Sequence, residues 1–409
     1  MAHLSPGLIA AGALGALGCV VCLDSVYLLT LAAAALVAEG PLPSFGSPTS
    51  RVTVLVPAHN ESGLIARCIR SLAAQNYPPE LFEIVVIADN CTDSTAAIAQ
   101  QAGAMVLIRD DPAARGKGQA LRWAMDRVLA VIDPPDAVVV VDADSVAEPE
   151  LLAALVARLE QGASAVQAEY LMLPDVASTA ADLRAAGILL FHRVRSTGRT
   201  RLGLPCTLVG NGMLFSRSLL EAHPWAAFSQ AEDLEYSVDL RLAGVRPVFA
   251  GAGCVRGPMP AQGRAAQVQR QRWEGGRLHV ARTRLLQLLA AGIRHPVTGP
   301  LDAALDLAVP PLGLLAVAAL GGVGLSTALG LAGIIPLVVA LPWFGAAGGI
   351  ALFVVVGLRA GGAPRSMYRS LARAPIFLAS KVIGTGQVVR GSGDATWVRT
   401  ERLTDRSSA

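Results

Sequence analysis

The segment Val138-Val139-Val140-Val141-Asp142-Ala143-Asp144 decides how this chain folds, because it joins a hydrophobic run to two carboxylates. A short β-branched run bounded by polar residues is typical of a parallel strand that is buried on both faces. Asp142 and Asp144 would then follow the carboxyl end of the strand, where open α/β sheets bind ligands. Two carboxylates at this spacing suit a Mg²⁺ or Mn²⁺ ion that also holds phosphate oxygens. Taken alone, an ordinary strand-to-loop turn explains the triplet equally well.

Strands and helices alternate in the residues before this segment. The pattern predicts strands at 52–56, 82–88 and 104–108, and helices at 63–74, after 92–95 and at 118–129. This alternation predicts an α/β fold with a doubly wound, mostly parallel sheet. The carboxyl ends of its strands should form one crevice, lined by Pro57, Ala58, Glu61, Asp89, Asp142 and Asp144.

Glycine-rich phosphate fingerprints are missing from the sequence. No GxGxxG follows the first strand and no GxxxxGK[ST] occurs, which argues against a dinucleotide enzyme or a P-loop ATPase. The loop Arg115-Gly116-Lys117-Gly118 combines glycine with cations that would suit phosphate oxygens, although a solvated basic turn is nearly as good an explanation.

The composition indicates a membrane protein. The chain has 409 residues, of which 53% are hydrophobic, and a mean hydropathy of +0.49, too apolar for a wholly soluble enzyme. Candidate spans run from Leu8 to Val37, over about 304–325 and over about 331–356. The net charge of +3 gives no case for nucleic-acid binding, and the six scattered cysteines fit a reducing compartment.

The arginines after the last span predict the orientation. A basic tail at 359–409 should face the cytoplasm, and three spans then place the polar middle of the chain on the same side. The sequence therefore predicts a multi-pass protein of the cytoplasmic (inner) membrane.

A series of motifs carries a resemblance to a known family. In order along the chain these are Val56 to Glu61, Asp89 to Asp93, Gly116-Lys117-Gly118, Asp142-Ala143-Asp144, Gly210-Asn211-Gly212, Glu232-Asp233 and Gln269-Arg270-Gln271-Arg272-Trp273. The chain resembles the family 2 inverting glycosyltransferases of the GT-A fold, which include cellulose, chitin and hyaluronan synthases and many bacterial membrane-bound polysaccharide transferases. The resemblance covers roughly residues 51–284.

The resemblance implies a role for each of these positions. Asp233 would be the general base, beside Glu232, and Asp144 would ligate the metal with Asp142. The nucleotide-sugar would contact Pro57, Ala58, Glu61, Asp89, Lys117, Asp142, Gln269, Arg272 and Trp273. The acceptor would contact Gly210, Asn211, Gly212 and Trp273. The family's usual Thr-Glu-Asp is Ala231-Glu232-Asp233 here, which puts contacts to the acceptor in doubt.

The resemblance also implies a domain layout: an anchor at 1–40, a GT-A domain at 51–260, amphipathic interfacial helices at 261–300, two spans at 301–358 and the basic tail. The implied activity is metal-dependent inverting transfer of a sugar from a nucleotide-sugar, expected to be a UDP-sugar, to a growing polysaccharide. The alternative is a single addition to a lipid-linked acceptor. An inactive nucleotide-sensing membrane subunit is a third, less favoured reading. Two spans after the catalytic segment are few for a translocation channel, so a homo-oligomer or an export partner would complete it.

Overall fold

The computed structural model describes residues 6–37, 48–173, 178–258, 264–294 and 299–375, without the side chains of residues 264–271. Its strands are β1 (Val52–Ala58), β2 (Phe82–Asp89), β3 (Met105–Arg109), β4 (Ala137–Val140), β5 (Val146–Ala147), β6 (Ala165–Leu173), β7 (Met213–Ser216) and β8 (Val248–Pro258). Its helices are α1 (Pro6–Ala35), α2 (Ile65–Ala73), α3 (Thr95–Gln101), α4 (Lys117–Leu129), α5 (Leu151–Glu160), α6 (Thr179–Ile188), α7 (Arg195–Arg201), α8 (Arg217–Ala222), α9 (Glu232–Leu242), α10 (Arg264–Arg294), α11 (Pro300–Ala308), α12 (Leu312–Leu331), α13 (Leu341–Ala360) and α14 (Arg365–Ser370).

The chain divides into two compact units. Within the described residues, unit 1 comprises 6–37, 178–202 and 308–375, and unit 2 comprises 48–173, 203–258, 264–294 and 299–307. The predicted α/β domain at 51–260 is therefore interrupted, because residues 178–202 group with unit 1. The predicted tail at 359–409 is described only as far as residue 375, and its remaining part, 376–409, lies outside the described residues.

Unit 2 is built on one sheet with the strand order β3-β2-β1-β4-β7-β6-β8-β5. The first half of the sheet is parallel, as predicted, because β1 pairs with both β2 and β4, and β2 pairs with β3. The second half is mixed: β7 runs antiparallel to β4 and β6, and β5 runs antiparallel to β8. The sheet as a whole is thus mixed, and because β6 also pairs with β8 in parallel, four of its seven strand pairings are parallel and three are antiparallel, in keeping with the predicted mostly parallel sheet. The strand direction reverses at β7, which comes directly after the turn Gly210-Asn211-Gly212. Both glycines of this turn have positive φ (81° and 68°).

The β4 strand confirms that a continuous apolar run marks a buried parallel strand. Val138 and Val140 pack on one face of the sheet with residues of α4 and α9. Val139 and Val141 pack on the other face with residues of α2 and α5. All four side chains are fully buried. Because both faces are covered, the strand is held rigidly and the carboxylates that follow it have a fixed starting point.

Unit 1 contains the three candidate spans of the described residues, Gly7–Ala35, Leu312–Leu331 and Leu337–Ala360, by length and composition. The second starts at Leu312 and not near 304, since 300–308 forms the separate helix α11, which belongs to unit 2 and ends just before Pro310 and Pro311.

A helical run between the two halves of unit 2 completes unit 1. It consists of α6, a π-helical turn at Leu189–Val194 and α7. Gly198 of α7 lies against the backbone of Leu31 in α1, and buried Arg199 donates to the Tyr27 hydroxyl at 2.6 Å. The arginines of α7 make this segment too polar to resemble a span in sequence, which explains why its place in unit 1 was not predicted.

Candidate active site

Three neighbouring parallel strands end at one edge of the sheet and carry the predicted site residues. Asp89 is the last residue of β2, Pro57 and Ala58 are the last residues of β1, and Asp142 follows β4 by two positions. Since β1 lies between β2 and β4, Asp89 and Asp142 are two strand spacings apart, about 10 Å. The structure therefore brings together these predicted residues at the edge where open α/β sheets bind ligands.

A fully buried asparagine, Asn211, forms hydrogen bonds with the loop that carries Asp142 and Asp144. The Asn211 carboxamide oxygen accepts from the Asp142 backbone N–H at 3.1 Å, and its nitrogen donates to the Ser145 hydroxyl at 2.8 Å. That hydroxyl donates to Asp144 Oδ1 at 3.1 Å. One chain of hydrogen bonds thus links the Asp142 backbone to the Asp144 carboxylate. The two carboxylates supply two of the hard oxygen ligands that Mg²⁺ or Mn²⁺ prefers.

Asn211 was predicted to contact the acceptor, and this stays a prediction. The structure gives Asn211 no exposed surface, and its side chain bonds to the Asp142 N–H and the Ser145 hydroxyl. Its neighbours Gly210 and Gly212 are buried as well. The Gly210-Asn211-Gly212 turn therefore supports the Asp142–Asp144 loop.

The Lys117 side chain lies between the acidic residues Asp142 and Glu232. Its ammonium donates to Asp142 Oδ1 at 2.6 Å and to the Gly210 carbonyl at 2.5 Å, and it lies 3.9 Å from Glu232 Oε1. Burial alone would lower the pKa of Lys117, but Asp142 and Glu232 outweigh it and raise that pKa above its ordinary value. Lys117 is therefore a permanent cation among several carboxylates.

Glu232 and Asp233 form the first turn of α9. Burial raises the pKa of Glu232 to about 7, with Lys117 opposing this rise and Asp233 adding to it. Burial also raises the pKa of Asp233, which Lys117 and the Leu234 backbone N–H oppose. Gly210 makes room for the Asp233 side chain: a Cβ there would lie 2.9 Å from Asp233 Oδ2. A buried carboxylate with a raised pKa is suited to taking a proton near neutral pH.

Asp89 forms an ion pair with Arg109, a contact that was not predicted from the sequence. Its Oδ1 accepts from Arg109 Nη1 at 2.6 Å and from the Asn90 carboxamide at 2.9 Å. The Arg109 side chain is 4% exposed and that of Asp89 is 10% exposed. Burial raises the pKa of Asp89, while its bonds to Arg109 oppose that rise. Arg109 ends β3 beside Asp89 in the strand register, a pairing that the separation of 20 residues does not reveal in the sequence.

The residues at the end of β1 and just after it shape the crevice mainly through their backbone. The Ala58 side chain is buried in the core, and its carbonyl accepts from the Cys91 thiol at 3.4 Å. The Glu61 N–H donates to the Thr95 hydroxyl at 2.7 Å. Pro57 and Glu61 are half-buried. These contacts tie the end of β1 to the loop that follows Asp89, so the floor between Asp89 and Asp142 is rigid.

Gln269, Arg272 and Trp273 all lie on helix α10, and the Gln269 side chain lies outside the described residues. Arg272 is half-buried and the Trp273 side chain is 43% exposed. Three residues further, Gly276 packs closely on Ala231: a Cβ there would lie 2.7 Å from the Ala231 Cβ. Since residues three apart share a helix face, α10 brings Trp273 towards the start of α9, where Glu232 and Asp233 lie.

Comparison with known proteins identifies relatives of this unit. The family model described as "Glycosyltransferase like family 2" matches residues 48–276. Probable glycosyltransferase YdaM of Bacillus subtilis (strain 168) is 26% identical over 239 residues, which are 56% of this chain and 56% of that protein. The low-salt glycan biosynthesis hexosyltransferase Agl6 of Haloferax volcanii is 38% identical over 77 residues, which are 19% of this chain and 18% of that protein. The chain thus matches only about half, or less, of the length of these relatives.

A solved structure resembles the chain over most of its length. It is the mannosyltransferase PcManGT from Pyrobaculum calidifontis in complex with GDP-Man and Mn²⁺, which is 20% identical with a TM-score of 0.53. The alignment covers 85% of this chain and 96% of that chain. Together with the family match, this likeness confirms the GT-A fold predicted from the sequence.

Proposed function

The chain belongs to the family 2-like glycosyltransferases, and from this premise we propose that it is a membrane-embedded inverting β-glycosyltransferase. Its donor is a UDP-sugar and its acceptor is a growing polysaccharide. The observation that carries the proposal is the meeting of Asp142, Glu232 and Asp233 around Lys117 at the carboxyl edge of the sheet. The fold supplies a diphosphate site and a proton acceptor within one crevice, as transfer from a nucleotide-sugar requires.

In the proposed reaction Asp233 takes the proton of the acceptor hydroxyl. The hydroxyl oxygen attacks the anomeric carbon from the face opposite the diphosphate, the bond to the diphosphate breaks, and UDP leaves with the electron pair. Asp142 and Asp144 would hold a Mg²⁺ or Mn²⁺ ion, which neutralises charge on the departing diphosphate when bound. Lys117 adds a second cation on the same side. PcManGT, which shares the fold, was crystallised with Mn²⁺, and this supports a divalent ion here.

The sugar and acceptor contacts follow from the positions already described. In the proposed site, Pro57, Ala58, Glu61 and Asp89 form the nucleotide end of the crevice, and Arg272 and Trp273 of α10 bound the transfer end. The contact predicted for Gln269 stays a prediction, because its side chain lies outside the described residues. Trp273 offers an aromatic face on which a sugar can stack. We assign the 51–260 segment without 178–202 to the catalytic domain, and α10 to the membrane surface.

The proposed location is the cytoplasmic membrane with the catalytic unit facing the cytoplasm, where nucleotide-sugars are made. The three candidate spans of the described residues support this location. Two of them follow the catalytic segment, which is few for a channel in a single chain, so export would need a homo-oligomer or a partner. The same observation favours the second candidate, a single addition to a lipid-linked acceptor.

The test is donor consumption by the detergent-purified full chain. It is offered UDP- and GDP-sugars with Mg²⁺ or Mn²⁺, and with EDTA as the control, and the anomeric configuration of the product is read by NMR. We expect one donor to be consumed in a metal-dependent way, with inversion at the anomeric carbon. Polymeric products support elongation and a single added sugar supports the second candidate. Retention of configuration, release of pyrophosphate, or nucleotide binding without any turnover would contradict the proposal.

A further inference from the structure

The pair Asp89–Arg109 carries an inference about which nucleotide the crevice selects, and this inference rests on the proposed function. Asp89 lies two strands, about 10 Å, from the Asp142–Asp144 loop. A nucleoside diphosphate that has its phosphates at that loop extends over a similar distance to its base. Asp89 is therefore placed to meet the edge of the base.

The two oxygens of the Asp89 carboxylate are not equivalent. Both donors that reach this carboxylate within the described residues, Arg109 Nη1 and Asn90 Nδ2, bond to Oδ1. Neither donates to Oδ2. Only one oxygen is thus left to accept a hydrogen bond from a ligand, although an unrestrained carboxylate would offer both.

Arg109 itself is fixed on three sides. Besides Asp89 it donates through Nη2 to Asp111 Oδ2 at 2.9 Å and to the Ala114 carbonyl at 2.7 Å. Asp111 is held in turn, because its N–H donates to the Asn90 carboxamide oxygen at 2.9 Å. The buried guanidinium cannot turn away from Asp89 without losing these bonds, so the assignment of Oδ1 and Oδ2 is kept.

We propose that Arg109 is a positioning residue that selects uracil by leaving Asp89 a single acceptor oxygen. Uracil presents one N–H donor between two carbonyls, which matches one acceptor. Guanine presents two adjacent donors, of which the second would be left unpaired. Cytosine and adenine present a ring nitrogen that accepts, and it would face the Asp89 oxygen without a proton. An unpaired or opposed polar group in a buried site weakens binding about tenfold or more.

The experiment measures equilibrium binding of UDP, GDP and CDP to the detergent-purified full chain in the presence of Mn²⁺. Inorganic pyrophosphate serves as the probe for the phosphate end. We expect the wild type to bind UDP about tenfold or more tightly than GDP and CDP. In Arg109→Met this preference should shrink while pyrophosphate binding stays unchanged. Arg51→Met, which removes an arginine–aspartate pair at the other end of β1, is the matched control and should keep the preference.

A second variant keeps the inference testable if Arg109→Met fails to fold. In Asp89→Asn, Arg109 and Asn90 both donate to the Oδ1 position, so the amide oxygen must take that position and its NH₂ group must take the other. An NH₂ group opposes the N–H of uracil and matches the ring nitrogen of cytosine. We therefore expect UDP affinity to fall and CDP affinity to rise relative to UDP.

The outcomes separate this inference from the proposed function. A folded wild type that binds none of the three nucleotides contradicts both. Binding of GDP as tightly as UDP overturns the inference but leaves transfer from a nucleotide-sugar intact. The inference is also overturned if Arg109→Met keeps the full preference for UDP, or if Asp89→Asn weakens all three nucleotides equally.

Discussion

Each end of the crevice buries a cation among carboxylates, but the ratio of carboxylates to cations differs between the two ends. At the nucleotide end, Arg109 meets Asp89 and Asp111 in a set of short hydrogen bonds that occupy both of its terminal nitrogens. At the transfer end, the single ammonium of Lys117 is shared by Asp142 and Glu232, with Asp233 and Asp144 beside them. The first end is nearly balanced in charge and geometrically closed. The second has a large excess of negative charge.

This difference separates recognition from chemistry. A buried ion pair with all its hydrogen bonds made gives fixed geometry, which serves to select a ligand. A surplus of buried carboxylates binds cations and raises the pKa of its members, which serves proton transfer and the neutralisation of a diphosphate. Changes at the transfer end should therefore alter turnover, and changes at the nucleotide end should alter affinity.

The largest expected effect comes from removing the base. Asp233→Asn should lower kcat by about 10²- to 10⁴-fold while donor affinity stays unchanged, because a general base contributes in this range and does not hold the donor. The measurement is steady-state kinetics with donor binding in parallel. Asp239→Asn is the control, since Asp239 is also on α9 but pairs with Arg284. An Asp233→Asn enzyme with near-normal kcat would place the base elsewhere.

The pH dependence of kcat tests the charges proposed for the transfer end. The base must be ionised, and burial raises the pKa of both Glu232 and Asp233, so kcat should rise with pH over a range above the ordinary carboxylate pKa. Lys117 holds these pKa values down. Lys117→Met should therefore move the acidic limb upward by about one pH unit or more and lower kcat at neutral pH about tenfold or more. An unshifted limb would mean that Lys117 does not act on the base.

Removing the support of the Asp142–Asp144 loop should have a smaller effect. Asn211→Ala leaves the Asp142 N–H and the Ser145 hydroxyl short of a buried partner, at a cost of about 1–3 kcal/mol. We expect the thermal midpoint to fall by several degrees and the Mn²⁺ concentration needed for half-maximal activity to rise. The control is Asn76→Ala, an exposed asparagine that bonds to Glu150. Equal losses in the two variants would show that Asn211 has no special link to the loop.

The smallest effect is expected at the exposed aromatic residue. Trp273→Ala should raise the acceptor KM about two- to tenfold, because aromatic contacts contribute about 0.5–1.5 kcal/mol, and should leave donor affinity unchanged. Initial rates at varied acceptor concentration measure this change. Trp123→Ala, which removes a tryptophan stacked with Arg127 on α4, is the control. A loss of donor affinity in Trp273→Ala would move Trp273 to the nucleotide end.

The first half of the sheet was predictable from the sequence, because each buried strand is a continuous apolar run and each is followed by a helix. The second half was not. β5 and β7 are two and four residues long, and the chain leaves the sheet between β6 and β7 for the helical run of unit 1. β5, with two residues, is too short to show a period, and β7 lies beyond the helical run of unit 1, so the pairing of both depends on tertiary contacts.

The site residues likewise divide into those that were predicted from the sequence and those that were not. The carboxylates at strand ends were predicted, since the position of each follows from its own strand. Their partners were not predicted, because Arg109 lies 20 residues from Asp89 and Asn211 lies 69 residues from Asp142. Long-range hydrogen bonds of this kind leave no spacing pattern in the sequence. The role of Asn211 in supporting the Asp142–Asp144 loop was likewise not predicted, because a buried support and an exposed ligand contact have the same residue type.

The most direct test of the separation between the two ends is a single set of measurements on two variants. UDP affinity and kcat are determined side by side for wild type, Arg109→Met and Asp233→Asn, with the donor that the wild type consumes. GDP affinity is measured beside UDP affinity. The account predicts that Arg109→Met loses the preference for UDP over GDP and that Asp233→Asn loses only kcat. Loss of UDP affinity in Asp233→Asn, or an unchanged preference for UDP in Arg109→Met, would contradict it.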